Sequence, residues 1–256
     1  MFNSKIDYHL HTDFSADSEI KLSELVQTAI NNGYESIAIT EHMHLLPQEI
    51  AVWGIPSMSK YKASIDVVRN QHPTLKIIYG IEIGDFQKVK QLADAIIEEA
   101  KFELILGAVH FVNTHTNISI PFDAPLNQQE VNDYYEQNLL LVETCDIDIL
   151  AHLGVYKRYY KSLPDESQAL SLIQKIFTTI IAKGIALEFN YSSFRKTYQS
   201  LLPEPAYLEL YKAMGGVLVS IGSDSHRIEH FGDHLNLAQK AVDTYGFEIV
   251  QTRRSY

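Results

Sequence analysis

Short apolar runs rich in β-branched residues recur along this chain, separated by longer segments in which apolar residues return every three or four positions. The first pattern belongs to strands buried on both faces and the second to amphipathic helices, so their alternation predicts a parallel sheet covered by helices. Strands are expected at Ile6 to His11, Ser36 to Thr40, Lys76 to Ile83, Leu104 to His110, Ile147 to His152, Ile185 to Phe189 and Val217 to Ile221. Helical spacing marks Leu22 to Asn32, Ser59 to Asn70, Val89 to Ala100, Gln129 to Thr144, Ser167 to Lys183 and Pro205 to Met214. Gly33, Gly184 and Gly215 stand where helices should stop. Such alternation fits a closed β/α barrel or a doubly wound open sheet, and local pattern does not choose between them. No long linker, low-complexity tract or fixed repeat divides the chain, so residues 1–256 read as one domain.

The polar residues break the tie. Nearly every expected strand runs apolar and then ends in a residue able to bind metal: His9 and His11, Glu41 and His42, Glu82, His110, His152, Asn190, and Asp224 with His226. In a barrel the C-terminal strand ends form one face, where residues far apart in sequence converge. An open sheet would spread them along an edge. His9-Leu10-His11 places two imidazoles on one side of a strand, Glu82 offers a carboxylate able to bridge two ions, and Asp224-Ser225-His226 repeats the spacing with a harder ligand. Asp17 is placed to join from the first loop, and Glu41 to orient a ligand rather than act as one. His44 and His230 lie just beyond motif residues, whereas His72, His115 and His234 lack the strand-end setting.

Composition narrows the function. With 256 residues, 46% of them hydrophobic, the chain can bury a substantial core. The single Cys145 allows no intramolecular disulfide, and neither a leader pattern nor a membrane-length apolar run is visible, so a cytoplasmic protein is expected. A formal charge of −11 argues against nucleic acid as a partner. It leaves room for a small anionic substrate, because bound cations can make one pocket positive within an acidic protein.

The ordered set Asp7-Tyr8-His9-Leu10-His11-Thr12, Thr40-Glu41-His42, Gly80-Ile81-Glu82, Gly107-Ala108-Val109-His110, Ala151-His152 and Gly222-Ser223-Asp224-Ser225-His226 resembles the polymerase and histidinol-phosphatase (PHP) superfamily. The run His11-Thr12-Asp13-Phe14-Ser15 is most similar to its monofunctional histidinol-phosphate phosphatase branch. The resemblance implies an α/β fold, a distorted (β/α)7 barrel, with three divalent ions of zinc, iron or manganese. It assigns His9, His11, Glu82 and Asp224 to one ion, Glu82, His110 and His152 to a second, and Asp17, His42 and His226 to the third. The common relatives carry Asp where Glu41 stands.

Such a site is expected to attack the phosphorus of a small phosphate monoester, L-histidinol phosphate in histidine biosynthesis, with a hydroxide bridging two ions. Arg158 and Arg195 follow strand ends and are expected to bind the phosphate through their donor forks. His230 is a candidate to bind the substrate, donating to a phosphate oxygen or to the leaving alkoxide, and Asp224 and a metal-bound water are the alternatives for delivering that proton. Aromatic loops around Phe14, Trp53, Phe111 and Tyr156 are candidates to shape the leaving-group pocket. The rivals are a PHP phosphoesterase for phosphotyrosine or nucleotides, a metal-dependent amidohydrolase, and a catalytically silent metal-binding module. The amidohydrolase commonly adds a bridging strand lysine, which is lacking here, and the silent module would tolerate missing ligands. Oligomeric state is not legible.

Overall fold

The computed structural model describes residues 4–113, 115–252 and 254. Eight strands form one parallel sheet in sequence order: β1 (Ile6–Leu10), β2 (Ser36–His44), β3 (Lys76–Gly84), β4 (Leu104–Ala108), β5 (Ile149–Leu150), β6 (Ala186–Asn190), β7 (Leu218–Gly222) and β8 (Glu248–Ile249). The sheet curls until β1 meets the segment after β7. There the His11 amide donates to the Ser225 carbonyl at 3.2 Å and the Asp224 amide to the His9 carbonyl at 2.9 Å. The two-residue β8 pairs with Leu218 and Val219 at the opposite end of β7. The seven expected strands are therefore present and an eighth is added, from a run too short to stand out in sequence.

Helices α1 (Leu22–Asn31), α2 (Pro47–Trp53), α3 (Met58–Gln71), α4 (Lys90–Ala100), α5 (Gln128–Thr144), α6 (Leu170–Lys183), α7 (Pro205–Ala213) and α8 (Leu235–Tyr245) fill the connections. Their apolar stripes face the sheet, as in α1, where Leu22, Leu25, Val26 and Ala29 are buried at helical spacing. Asn127 caps α5, accepting from the Glu130 amide while the Glu130 carboxylate accepts from the Asn127 amide. Gly184 ends α6 at φ +66°, a left-handed conformation that a side chain would oppose.

One strand differs from expectation in a way that matters. β2 continues four residues past Thr40, through Glu41-His42-Met43-His44, because His42 and His44 line the barrel mouth and Glu41 is buried on Thr12 and Ser15 rather than facing bulk water. Its register sets His42 beside Glu82 and His44 beside Gly84 on β3. On the next strands Leu106 lies in register with Glu82 and with Ile149. Leu106 is fully buried, so it forms part of the apolar floor under the carboxylate.

Leu106→Ala is expected to cost about 2–5 kcal/mol through lost burial and the cavity left behind. The urea midpoint of the far-ultraviolet circular dichroism signal measures this. An unchanged midpoint would show that the floor beneath Glu82 is not close-packed.

Candidate metal centre

Glu82 is the geometric centre of the barrel mouth. It is fully buried, and imidazole nitrogens from His9 (3.3 Å), His11 (3.5 Å), His42 (2.8 Å), His110 (3.4 Å) and His152 (2.9 Å) surround its two oxygens. Burial alone would raise its pKa, but His9 and His42, followed by His110 and His152, hold it well below the usual carboxylate range. The carboxylate is therefore ionised and available as a bridge.

Three groups of donors share this centre. His9, His11 and Glu82 converge, with Asp224 Oδ1 at 3.7 Å from His9 Nε2 and 3.5 Å from His11 Nε2. Glu82, His110 and His152 form the second. Asp17 Oδ2 lies 3.4 Å from His42 Nε2 and 3.3 Å from His226 Nε2, and those two nitrogens are 3.1 Å apart. The rings of His42 and His226 each stack against His11, with centroids 4.0 and 4.3 Å away.

These residues fit a set of divalent ions on the evidence of their own atoms. His9 Nε2, His11 Nε2 and Glu82 Oε2 are buried without a hydrogen-bond partner although they point at one another. Buried polar atoms normally find partners, and a cation shared among them is the partner this chemistry suits. Burial, reinforced by His42 and His226, lowers His11 well below the ordinary histidine range, so its ring is neutral and able to donate a lone pair. Burial opposes a charge on His9 as well. Glu188, Glu82 and Asp224 overcome it and raise His9 well above the ordinary value, a field that favours any cation placed between them.

The centre is braced from below by Glu188, which the sequence did not single out, together with residues of the motifs themselves. Glu188 on β6 accepts from His9 Nδ1 at 2.6 Å and from the His152 amide at 2.6 Å, fixing two ring-bearing segments with one carboxylate. Gly222 makes room for it: a Cβ there would lie 2.0 Å from Glu188 Oε1 and 2.6 Å from His9 Cβ. His152 (φ +27°) and Asp224 (φ +54°) occupy strained left-handed backbone, each anchored through its amide. Asp7 accepts from the His9 and Ser223 amides, and burial pushes its carboxyl up to about 7. Glu41 is turned away from the donor groups. It accepts from Thr12 and Ser15 hydroxyls at 2.5 Å, and Ser15 in turn accepts from the His42 amide at 2.9 Å. The only sequence signal for Glu188 is a carboxylate inside a fully buried strand.

Above the donors opens a cavity of about 290 Å³ whose lining includes Arg158, Arg195 and His230. Arg158 is buried and pairs with Asp224 Oδ2, leaving Oδ1 toward the histidines. Asp224 stays well below the usual carboxylate range despite burial, because Arg158 and His9 face it. Arg195 donates to the Ser223 carbonyl at 2.6 Å and to Asp233 at 3.1 Å, so it also holds the Asp224 loop.

Other candidates fall elsewhere. Asn190 bonds Glu188 and Ser192 instead of joining a donor group. His72 ends α3, His115 is exposed and His234 precedes α8. Tyr156 is buried with its hydroxyl on Glu166, and Phe111 lines neither this cavity nor its neighbour. Lys157, buried beside Arg158, is tied to Glu166 and Glu204, each at 2.6 Å, a knot that no local pattern announced.

The PHP domain family matches residues 7–192. The chain is 27% identical over 254 residues to a "Probable histidinol-phosphatase" of Clostridium acetobutylicum, covering 95% of each. It is 24% identical to the histidinol-phosphatase of Lactococcus lactis subsp. lactis, over 97% of this chain and 94% of the relative. A crystal structure of histidinol phosphate phosphatase from that organism, complexed with Zn, L-histidinol and phosphate, shares the fold with a TM-score of 0.81 at 24% identity, covering 98% of this chain and 97% of the other. A structure from work on metal-dependent tyrosine phosphatases of Bacillus subtilis and Streptococcus pneumoniae is more distant, with a TM-score of 0.54 at 16% identity over 93% and 86%.

Two outcomes follow from the geometry. Divalent zinc or manganese should raise the thermal midpoint of chelator-treated protein by several degrees, since ligand binding to the folded state alone stabilises it by mass action. Differential scanning fluorimetry with and without metal reads this directly, and identical midpoints would count against a preformed metal site. Glu188→Gln should weaken metal affinity about 10- to 100-fold by removing the charge that orients His9. Competition with a chromogenic chelator measures it, and unaltered affinity would reduce Glu188 to a packing role.

Proposed function

The chain belongs to the PHP domain family, and on that footing we propose that it hydrolyses L-histidinol phosphate to L-histidinol and phosphate, a step of histidine biosynthesis, at a trinuclear metal site. The observation that carries the proposal is that two buried donor groups share Glu82, and Asp17, His42 and His226 join it through His42, directly beneath a cavity lined by Arg158 and Arg195. The naming of full-length relatives as histidinol-phosphatases supports the choice of substrate. In this reading residues 1–256 act as one catalytic unit, and the biosynthetic role places the enzyme in the cytoplasm. Among the described residues no helix is long and apolar enough to cross a membrane.

The proposed ligands are His9, His11, Glu82 and Asp224 for one ion, Glu82, His110 and His152 for the second, and Asp17, His42 and His226 for the third. Bound divalent ions supply Lewis acidity to a phosphoryl oxygen and make water nucleophilic near neutral pH. The chain's own residues do the rest. Arg158 lines the cavity and holds Asp224 through its Nη2, so its guanidinium stands where a phosphate oxygen can accept from it. Asp224, kept ionised by Arg158 and His9, is placed to orient an attacking water as a hydrogen-bond acceptor; held this far below the usual carboxylate range it does not carry the proton, which leaves to solvent while the leaving alkoxide takes one from water. His230 is lowered by partial burial and by Arg195, so its neutral ring suits hydrogen bonding to a phosphate oxygen better than acting as the proton source.

The test is a panel of phosphate esters assayed for released phosphate at defined metal loading. L-histidinol phosphate should be cleaved with a kcat/KM far above those of phosphotyrosine, nucleotides and sugar phosphates. A clear preference for phosphotyrosine or a nucleotide defeats the biosynthetic reading and favours another PHP phosphoesterase, while failure on every ester removes the phosphoesterase reading itself.

A further inference from the structure

Lys157 is the only buried lysine among the described residues, and it stands next to Arg158 on the turn Val155–Lys157 that follows β5. Its Nζ donates to Glu166 at 2.6 Å and to the two oxygens of Glu204 at 2.6 and 2.8 Å, and it lies 4.9 Å from the centre of the Tyr207 ring. Glu166 also accepts from the hydroxyls of Tyr135, Tyr156 and Tyr207. The two carboxylates come from different loops: Glu166 precedes α6, and Glu204 precedes α7 without using its side chain to cap that helix. Lys157, Glu166 and Glu204 all lie outside the lining of the cavity above the metal-binding residues.

Stability alone gives little reason for this cluster. The desolvation of an ammonium and two carboxylates can outweigh their attraction, and well-packed apolar side chains of similar volume often hold a fold as well or better. What charge-assisted hydrogen bonds add is a fixed direction for each group. That direction matters because of the backbone next to it. The Arg158 carbonyl accepts from the Tyr198 amide at 3.1 Å, so the loop after β5 crosses the loop after β6, which also carries Arg195. Burial, then the nearness of Glu204 and Glu166, raise the Tyr198 phenol above its ordinary range, which places that side chain at the same cluster. The crossing is therefore tied twice, directly from Tyr198 to Arg158 and through Glu204 to Lys157. From it Arg158 and Arg195 both reach the Asp224 segment, one at the carboxylate and the other at the Ser223 carbonyl.

Resting on the phosphomonoesterase reading, we infer that Lys157 is a positioning residue for the reaction: with Glu166 and Glu204 it sets the Arg158 guanidinium against the phosphate. Successive side chains on so tight a turn point in different directions, so anchoring the Lys157 ammonium in the cluster fixes the turn from which Arg158 enters the cavity. A small displacement has large leverage, since misplacing a reacting or binding group by on the order of 1 Å can cost about a hundredfold in rate. The loss on breaking the cluster is common to every phosphate ester, because Arg158 meets the part they all share.

The test uses metal-loaded wild type and four variants: Lys157→Met, Lys157→Met paired with Glu204→Gln, Arg158→Ala, and Arg158→Ala joined to that pair. The paired change removes one charge of each sign and leaves Glu166 its tyrosine hydroxyls, so it keeps the fold even where Lys157→Met alone does not. Calorimetric affinity for inorganic phosphate is read for each, with kcat and KM for L-histidinol phosphate and p-nitrophenyl phosphate. The paired variant should weaken phosphate binding about tenfold and raise KM for both esters by a similar factor, with kcat changing less. In the Arg158→Ala background the same pair should have almost no further effect, because the contact it orients is gone. Losses that simply multiply with that of Arg158→Ala, or wild-type phosphate affinity in the paired variant, overturn the inference and leave the phosphomonoesterase reading in place. A paired variant that does not fold makes the cluster a requirement of the fold and overturns the positioning role as well. If metal-loaded wild type neither cleaves an ester nor binds phosphate, that reading fails and the inference with it.

Discussion

A carboxylate buried without solvent is costly unless charge and hydrogen bonds compensate, and Glu82 meets that condition only because five imidazoles arrive around it. They arrive from β1, β2, and the segments after β4 and β5, so the carboxylate is satisfied only when the barrel is assembled. Register does the positioning: His42 lies beside Glu82 because β2 and β3 pair residue for residue from Ser36↔Lys76 to His44↔Gly84. A one-residue slip would turn every one of those side chains to the opposite face. Site and fold are therefore one constraint.

The second constraint is steric. Glu188 must touch both His9 and the His152 amide, which requires β6, β7 and β1 to approach more closely than side chains on β7 allow. Gly222 concedes the space. The approach also forces Asp224 into left-handed backbone two residues later, and the His9 carbonyl holds it there. Strain at Asp224, the glycine before it and the buried Glu188 are consequently three expressions of one close crossing. It is the same crossing that brings Asp224 between the histidines and Arg158.

Much of this was legible in the chain. The strand-end positions of His9, His11, Glu82, His110, His152 and Asp224 stood out because polar residues ending apolar runs are improbable by chance, and convergence followed from parallel topology alone. What could not be read are residues whose local pattern is ordinary. Glu188 lies within Ala-Leu-Glu-Phe-Asn, where the pattern invites attention to the terminal Asn190, yet the interior carboxylate is the brace. Glu49 and Lys157 look like surface charges on short helical segments, yet both are buried, Glu49 beside His44 at the end of β2 and Lys157 between Glu166 and Glu204. The extension of β2 through His44 was hidden for a related reason: polar side chains around a metal centre imitate a loop. Tertiary neighbours, not local sequence, decide such cases.

The net charge of −11 sets the last physical condition. At physiological ionic strength charges are screened beyond about 8 Å, so a phosphate ester in solution feels little of the acidic surface and receives no long-range steering from it. Capture must then be local, by the arginines of one cavity and the cations its histidines and carboxylates hold. Those contacts are common to every phosphate monoester and cannot distinguish among them. The barrel draws the two sides of its mouth from opposite stretches of the chain. A second cavity of about 190 Å³ beside the first is lined by the loops after β1, β2 and β4, whereas the cationic wall comes from those after β5, β6 and β7. Substitutions in the first set of loops therefore leave the cationic wall, carried by the second, in place.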